Sequence, residues 1–229
     1  AVHYAVCANG ASVYRLDDDE PARAELAERV LLRPLDRAVA HRVHRIAAGH
    51  DVTFDIFADG RCFLPRPLYA RLDEFCGGDP HITASLKRTR EPIDEDIDSK
   101  IDEVEVLERI AMYWHDPADR DAIVAALRGV DGIELTRSYT MNIEVMGAGA
   151  TKGTALTWLC GHAGEVVADA WAFGDNINDI PMIETAGHGC AMKNAEPEDR
   201  DAADLITEFD NDHDGVARTV MEALTDAVR

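Results

Sequence analysis

The chain has 229 residues with 44 acidic and 23 basic side chains, which give it a formal net charge of −21. The length suits one large domain or two small ones, and a hydrophobic fraction of 46 % excludes wholesale disorder. The acidity argues against a nucleic-acid backbone or an anionic membrane surface as a main partner. A solvated, carboxylate-rich surface and a salt-rich habitat are both compatible with it.

The cysteines and the apolar runs indicate a reducing compartment. The five cysteines are an odd number without a C-x-x-C pair, which favours free thiols over disulfides or a zinc site. The sequence contains no run of 18 apolar residues that could span a bilayer. It also lacks the basic and then apolar segments of a signal peptide. The sequence therefore predicts a cytoplasmic protein without a membrane partner.

The first part of the chain predicts two β-hairpins and a helix. Asn9-Gly10 and Asp59-Gly60 are turn signals between apolar runs. Residues 21–33 are ambiguous, because Pro21 could open a helix while residues 30–32 could form a strand. The predicted segments are strands 2–8, 11–14, 52–57 and 61–64 and an amphipathic helix 35–48.

The middle of the chain mixes helices and strands, as is typical of an α+β module. Asp116 is a candidate cap for the helix after it. Residues 77–103 are polar and are predicted to be rich in loops. The predicted elements are a short helix from Pro67 toward Phe75, a helix 117–127, and strands 104–114, 133–137 and 141–145.

From residue 151 onward, helices alternate with apolar strands. This alternation predicts a parallel sheet with helices on both faces. Residues 1–33 and 146–229 are expected to form one α/β core, with residues 34–145 inserted as a lid over a cleft. The predicted elements are helices 151–159, 178–186 and 215–228 and strands 166–173, 188–192 and 205–206.

Two carboxylates and two amides come directly after the predicted strand 166–173. Asp175 and Asp179 repel each other unless a cation lies near them. Oxygen ligands at the carboxyl end of such a strand suit Mg²⁺. An ordinary helix start, with Asn178 or Asp179 as its cap, explains the same residues equally well.

Lys152 and Asn9 are further candidates. Lys152 comes after Thr151, a candidate helix cap, and would occupy the first helical position, where the helix dipole disfavours a cation. An anion held near the helix end would explain this lysine, and so would a side chain that reaches out to solvent. Asn9 is either a site residue or a plain turn residue.

Four segments resemble one protein family when they are taken in this order: ANGASVY, SYTMNIEVMGAGATKGTAL, AFGDNINDIPMIETAGHGCAMKNA and NDHDGVA. They are similar to the Cof-type branch of the haloacid dehalogenase (HAD) phosphatases, with an inserted cap of the second, C2B-like class. The resemblance covers nearly the whole chain. It implies an α/β fold with a Rossmann-like core around a parallel sheet, formed by residues 1–33 and 146–229, and an α+β cap formed by residues 34–145.

The resemblance also implies a Mg²⁺-dependent phosphohydrolase of small phosphorylated metabolites, above all sugar phosphates. In that family a nucleophilic Asp forms an aspartyl-phosphate, and a second Asp two residues later acts as acid and then base. Carried over, Lys152 would hold the nucleophile and the phosphate, and Asp175 would bind Mg²⁺. Asp179 would be a second ligand or a support behind it. Asn178 would orient the phosphate or a metal-bound water, and Asn9 would line the substrate site.

The family's N-terminal Asp-x-Asp-Gly-Thr motif does not occur near Ala1. Residues 1–14 resemble a later part of the family's core, so a strand, a helix and a second strand, roughly 40 residues, are expected to be missing. The recorded sequence could lack a segment of the real protein, another chain could supply it, or the chain could be a truncated module that binds a ligand or partner without chemistry. Without the nucleophile, the 229 residues are not expected to turn over by the family mechanism.

Overall fold

A computed structural model describes residues 2–227 of the protein. The chain divides into two compact units, Ala1–Ala150 and Thr151–Arg229. The strands are β1 (Tyr4–Cys7), β2 (Ser12–Arg15), β3 (Glu28–Leu32), β4 (Asp55–Ala58), β5 (Arg61–Pro65), β6 (Glu91–Ile93), β7 (Leu107–Tyr113), β8 (Ile133–Thr136), β9 (Asn142–Gly147), β10 (Trp171–Gly174), β11 (His188–Ala191) and β12 (Leu205–Ile206). The helices are α1 (Arg37–Ala47), α2 (Arg66–Ala70), α3 (Leu72–Phe75), α4 (Pro80–Thr89), α5 (Ile97–Glu103), α6 (Pro117–Leu127), α7 (Lys152–Ala163), α8 (Ile180–Thr185), α9 (Pro197–Ala202) and α10 (Gly215–Ala227).

The first unit contains two sheets. Strands β1, β2 and β3 form an antiparallel sheet, and six strands form a second sheet in the order β6-β5-β4-β7-β9-β8, in which β5 and β6 are parallel. Both predicted hairpins are confirmed, because β1 pairs with β2 and β4 pairs with β5. The ambiguity at residues 21–33 resolves in favour of a strand, since β3 pairs with β2.

Helices cover both faces of the six-stranded sheet. Ala40 and Val43 of α1 and Ile123 of α6 belong to the large apolar core on one face, while Leu72 and Leu86 belong to a smaller core formed with α3 and α4. The prediction of a loop-rich segment at residues 77–103 is wrong, because α4, β6 and α5 lie there. Their side-chain caps, Asp79 and Asp96, hold short helices that each bury only a few apolar residues. The apolar period was therefore too weak to predict them.

Histidines and carboxylates join α1 to α5. The Nδ1 and Nε2 atoms of His41 lie 2.6 Å and 2.9 Å from Oδ1 of Asp98 and of Asp102, and Nδ1 of His44 lies 3.0 Å from the same Asp98 oxygen. The hydrogen bond to Asp98, together with the smaller effect of the one to Asp102, raises the pKa of His41 above its ordinary value of 6.5. The pKa of Asp98 is lowered from 3.8, first by His41.

The stability that His41 contributes should therefore depend on pH. A raised folded-state pKa stabilises the protein below the unfolded value of about 6.5, and this contribution is lost as the pH rises through the folded value. Replacing His41 with Gln should reduce the free energy of unfolding by about 1 kcal/mol at about pH 5.5 and by little at about pH 8.5. Chemical denaturation at both pH values checks this, with His81→Gln as an exposed control. An equal loss at both pH values would contradict it.

The second unit is built around a parallel sheet of β10, β11 and β12, flanked by helices, as the sequence predicts for an α/β fold. The predicted strand 166–173 is shorter than expected, because residues Val167–Asp169 form a 3₁₀ turn and β10 begins at Trp171. The last predicted helix is present to Ala227, and its expected end at residue 228 lies outside the described residues. Within residues 2–227, no helix combines the length and the apolar character needed to cross a bilayer.

A close contact between α7 and α8 depends on Gly153. A Cβ atom at this position would lie 2.1 Å from the carbonyl oxygen of Pro181, whereas Gly161 in the same helix has open space around it. Gly153→Ala should lower the free energy of unfolding by about 2 kcal/mol through overpacking. Gly161→Ala should raise it by up to about 1 kcal/mol, because alanine is the better helix former. Urea unfolding of both variants checks this, and equal stabilities would contradict the packing argument.

Candidate active site

The carboxyl end of β10 leads into a tight turn that is stabilised by its own side chains. The side chain of Asn176 accepts a hydrogen bond from the amide of Ile177 at 3.1 Å. Oδ2 of Asp179 accepts from the amides of Asp175 and Asn176 at 3.2 Å and 3.3 Å. The residue that caps this turn is therefore Asn176, and the prediction of Asn178 or Asp179 as the side-chain cap is wrong. Asn178 lies buried inside the turn.

The last residue of β10 lets the Asp179 carboxylate fold back against the strand. A Cβ atom at Gly174 would lie 2.3 Å from Cβ of Asp179. Any larger residue at this position would push the aspartate away from the amides that it binds. The sequence Gly-Asp-Asn-Ile-Asn-Asp thus specifies one local conformation, in which its last carboxylate closes onto its own start.

Lys152 meets Asp179 at this turn. Thr151 caps α7 by accepting from the amide of Thr154, which confirms the predicted cap and leaves Lys152 at the first helical position. The Nζ atom of Lys152 lies 2.5 Å from Oδ1 of Asp179, whose side chain is 8 % exposed. The anion that a lysine at a helix N-terminus requires is thus the Asp179 carboxylate. Because Oδ2 is bound by two amides, both oxygens of Asp179 are engaged.

Asp175 is placed differently. It is exposed at the edge of a cavity of about 460 Å³, which Asp179, Asn211 and Asp214 also line. In the described part of the chain, its carboxylate receives one long hydrogen bond, at 3.5 Å from Asn194. The structure thus brings an open carboxylate next to a closed Lys–Asp pair. Asn194, Asn211 and Asp214 were not among the predicted site residues, because a polar loop gives no sign of what it faces.

A further carboxylate near this turn also escaped sequence reasoning. Asp199 of α9 is fully buried, and neither of its oxygens has a hydrogen-bond partner among the described residues. Burial, and after it the nearby charges of Asp179 and Asp175, raises the pKa of Asp199 to about 6. A protonated Asp199 avoids leaving a bare charge inside the protein. A polar residue between charged neighbours in a short helix carries no sequence signal of burial.

Asn9 lies in the other unit, in a turn of residues 8–10 where it has a left-handed φ of 57°. It is buried, and its Nδ2 donates to Oε2 of Glu144 at 2.6 Å. Lys152, Asp175, Asn178 and Asp179, the other predicted site residues, belong to the second unit. The structure joins Lys152 to Asp179 directly and brings the amide of Asp175 onto the same carboxylate.

The donor set of the second unit fits Mg²⁺. Within residues 2–227, no group of three or more His, Cys, Asp or Glu side chains forms a complete metal cage. Mg²⁺ does not require one, because it keeps several waters and takes one or two carboxylates together with substrate phosphate oxygens. An open carboxylate at Asp175, with further oxygen atoms on the same cavity, is such a donor set.

Comparison with known proteins agrees with this geometry. A 5-amino-6-(5-phospho-D-ribitylamino)uracil phosphatase of Bacillus subtilis is 39 % identical over 101 residues, which are 44 % of this chain and 40 % of that protein. An HMP-PP phosphatase of Serratia proteamaculans is 46 % identical over 66 residues, 29 % of this chain and 24 % of that protein. The chain thus matches less than half the length of these curated relatives.

The fold comparison extends over almost the entire chain. A haloacid dehalogenase-like hydrolase from B. subtilis superimposes on 93 % of this chain and 77 % of its own with a TM-score of 0.76 at 22 % sequence identity. The model of one family, described as haloacid dehalogenase-like hydrolase, matches residues 1–220. The resemblance predicted from the sequence motifs is therefore confirmed, and the chain belongs to the haloacid dehalogenase-like hydrolase family.

Proposed function

We propose that the protein is a Mg²⁺-dependent phosphohydrolase of small phosphorylated metabolites, with sugar phosphates as the foremost class. The observation that carries the proposal is the Lys152–Asp179 pair, 2.5 Å apart, beside the open carboxylate of Asp175. A cation and a metal-ready carboxylate at the end of a parallel strand suit a phosphate dianion. The names of the relatives add support, since both are phosphatases of small molecules.

Each proposed role uses a group placed above. Asp175 would hold Mg²⁺, which when bound supplies positive charge to the phosphate oxygens. Lys152 would bind the phosphate with its Nζ atom, whose side chain remains 29 % exposed. Asp179 fixes the position of that ammonium and supports the metal site from behind, because both of its oxygens are already engaged. Asn178 would orient the phosphate.

Asn9 and the domain division complete the proposal. With Nδ2 committed to Glu144, Asn9 holds its turn in place and would line the substrate site from there. Residues 1–33 and 146–229 are proposed to form the catalytic core and residues 34–145 the cap. The attacking nucleophile is not among the residues assigned to these roles.

Metal removal tests the proposal directly. Phosphate release from a panel of phosphate monoesters should be measured with the protein as its gene encodes it, with Mg²⁺, with EDTA, and after Mg²⁺ is restored. We expect EDTA to reduce the rate by about a hundredfold or more and Mg²⁺ to restore it, since a metal supplies several kcal/mol of charge stabilisation. Full activity in EDTA would overturn the metal requirement, and no release from any monoester would overturn the function.

A further inference from the structure

The first unit contains a cavity of about 750 Å³ that none of the predicted site residues lines. Ala5, Cys7 and Tyr14 of the three-stranded sheet form one side, and Phe57 and Arg109 of the six-stranded sheet form part of the other. The volume is within the range of pockets that hold small molecules. The walls are mostly apolar and include Leu16, Ala24 and Ala27.

Arg109 is held rigidly at the wall of this cavity. Its guanidinium carbon lies 3.9 Å from the centre of the Phe57 ring, which is a cation–π arrangement. Its Nη1 atom donates to Oε1 of Glu144, which Ser138 also binds at 2.9 Å. The Nδ2 of Asn9 holds the second oxygen of Glu144. Arg109 is thus fixed from two sides before any ligand arrives.

One edge of this guanidinium has no acceptor. The Nε atom is buried without a hydrogen-bond partner in the described part of the chain, and the single hydrogen bond of the side chain there runs from Nη1. A buried donor without a partner is unfavourable. The edge formed by Nε and Nη2 is also the fork that binds both oxygens of a carboxylate or phosphate group at once. Arg109 is therefore preorganised for an oxyanion.

The nearby acidic residue does not fill this role. Glu108 lines the same cavity, but it is buried and accepts from the hydroxyl of Ser12 at 2.6 Å. Arg61, a second cation on the cavity wall, pairs with Glu91. In a chain with a net charge of −21, a cavity lined by two arginines and one glutamate is an unusual place of low negative charge.

We propose that this cavity binds a small organic oxyanion with an apolar body of one or two rings. The oxygens of the ligand accept from Nε and Nη2 of Arg109, and its apolar body packs against Tyr14, Leu16 and the alanines of the opposite wall. The proposal rests on the first unit alone and is independent of the phosphatase function.

Two probes of the same shape test the charge requirement. Binding of 2-naphthoate and of its neutral amide, 2-naphthamide, should be measured by calorimetry on the full protein. We expect 2-naphthoate to bind at least about tenfold more tightly, because it alone offers two charged oxygens to the fork. Equal affinity of the two probes, or no saturable binding below about 10 mM, would overturn the proposal.

Variants locate the binding. Arg109→Met should reduce the affinity for 2-naphthoate about tenfold and leave that for 2-naphthamide unchanged, while Arg45→Met, the same change on an exposed helix face, should alter neither. Ala24→Trp fills the cavity wall without touching the Arg109–Glu144 pair and should weaken both probes about tenfold or more. Circular dichroism checks the fold, and if Arg109→Met does not fold, Ala24→Trp decides. Unchanged binding in the folded variants would overturn the proposal.

Discussion

Replacing Asp175 with Asn should lower kcat/KM for phosphate release by about a thousandfold. The variant keeps the size of the side chain but removes the charge that would hold Mg²⁺ at the edge of the cavity. A metal contributes several kcal/mol to the stabilisation of developing charge, and each 1.36 kcal/mol corresponds to about a factor of ten in rate. Steady-state kinetics on the best substrate of the monoester panel measures the effect.

A matched control separates the loss of a ligand from the loss of a negative charge. Asp201→Asn makes the same substitution at an exposed position of α9, and its rate should stay within about twofold of the parent. Because Asp175 is exposed, its variant should also unfold at nearly the parent denaturant concentration. Activity of Asp175→Asn within a few fold of the parent would remove Asp175 from the metal site.

Replacing Lys152 with Met should damage both stability and catalysis. The change leaves the Asp179 carboxylate, 8 % exposed, without its cation. Breaking a buried ion pair on one side costs about 3 kcal/mol in the free energy of unfolding, because a charge remains without a partner. Loss of the phosphate-binding ammonium should also lower kcat/KM about a thousandfold. Urea denaturation and phosphate release measure the two effects.

The double variant Lys152→Met/Asp179→Asn separates these effects. Removing the stranded charge should recover about half of the lost stability, whereas activity should stay low. Lys193→Met, at an exposed position of the same unit, serves as the control and should change neither quantity. If Lys152→Met unfolds like the parent, then the contact with Asp179 contributes nothing to stability.

The elements that the sequence predicted best have strong local signals. Helix α6 spans residues 117–127 as expected, because Asp116 caps it and Pro117 starts it. Thr151 likewise fixed the start of α7, and the unfavourable position of Lys152 correctly indicated a nearby anion. In each case the determining interaction lies within a few residues along the chain or arises from the helix dipole.

The features that sequence reasoning missed depend on distant or competing contacts. Asn176, Asn178 and Asp179 can all cap a helix, and the choice of Asn176 results from the way Asp179 folds back onto Gly174. The stacking of Arg109 on Phe57 joins residues that meet only when β4 pairs with β7. Local pattern does not contain such pairings. The roles of the site residues and the division into core and cap stay predictions.

The bond between Lys152 and Asp179 also bears on the order in which the second unit assembles. It links residues 27 apart in the sequence, so it forms after the intervening chain has laid down β10 and its turn. A helix such as α7 can form quickly by itself, but closing a loop of this length carries an entropic cost that must be met first. Contacts made after the folding barrier chiefly slow unfolding. The charge pair at the candidate site would thus act as a late latch, whose loss would shorten the lifetime of the folded unit more than it would delay folding.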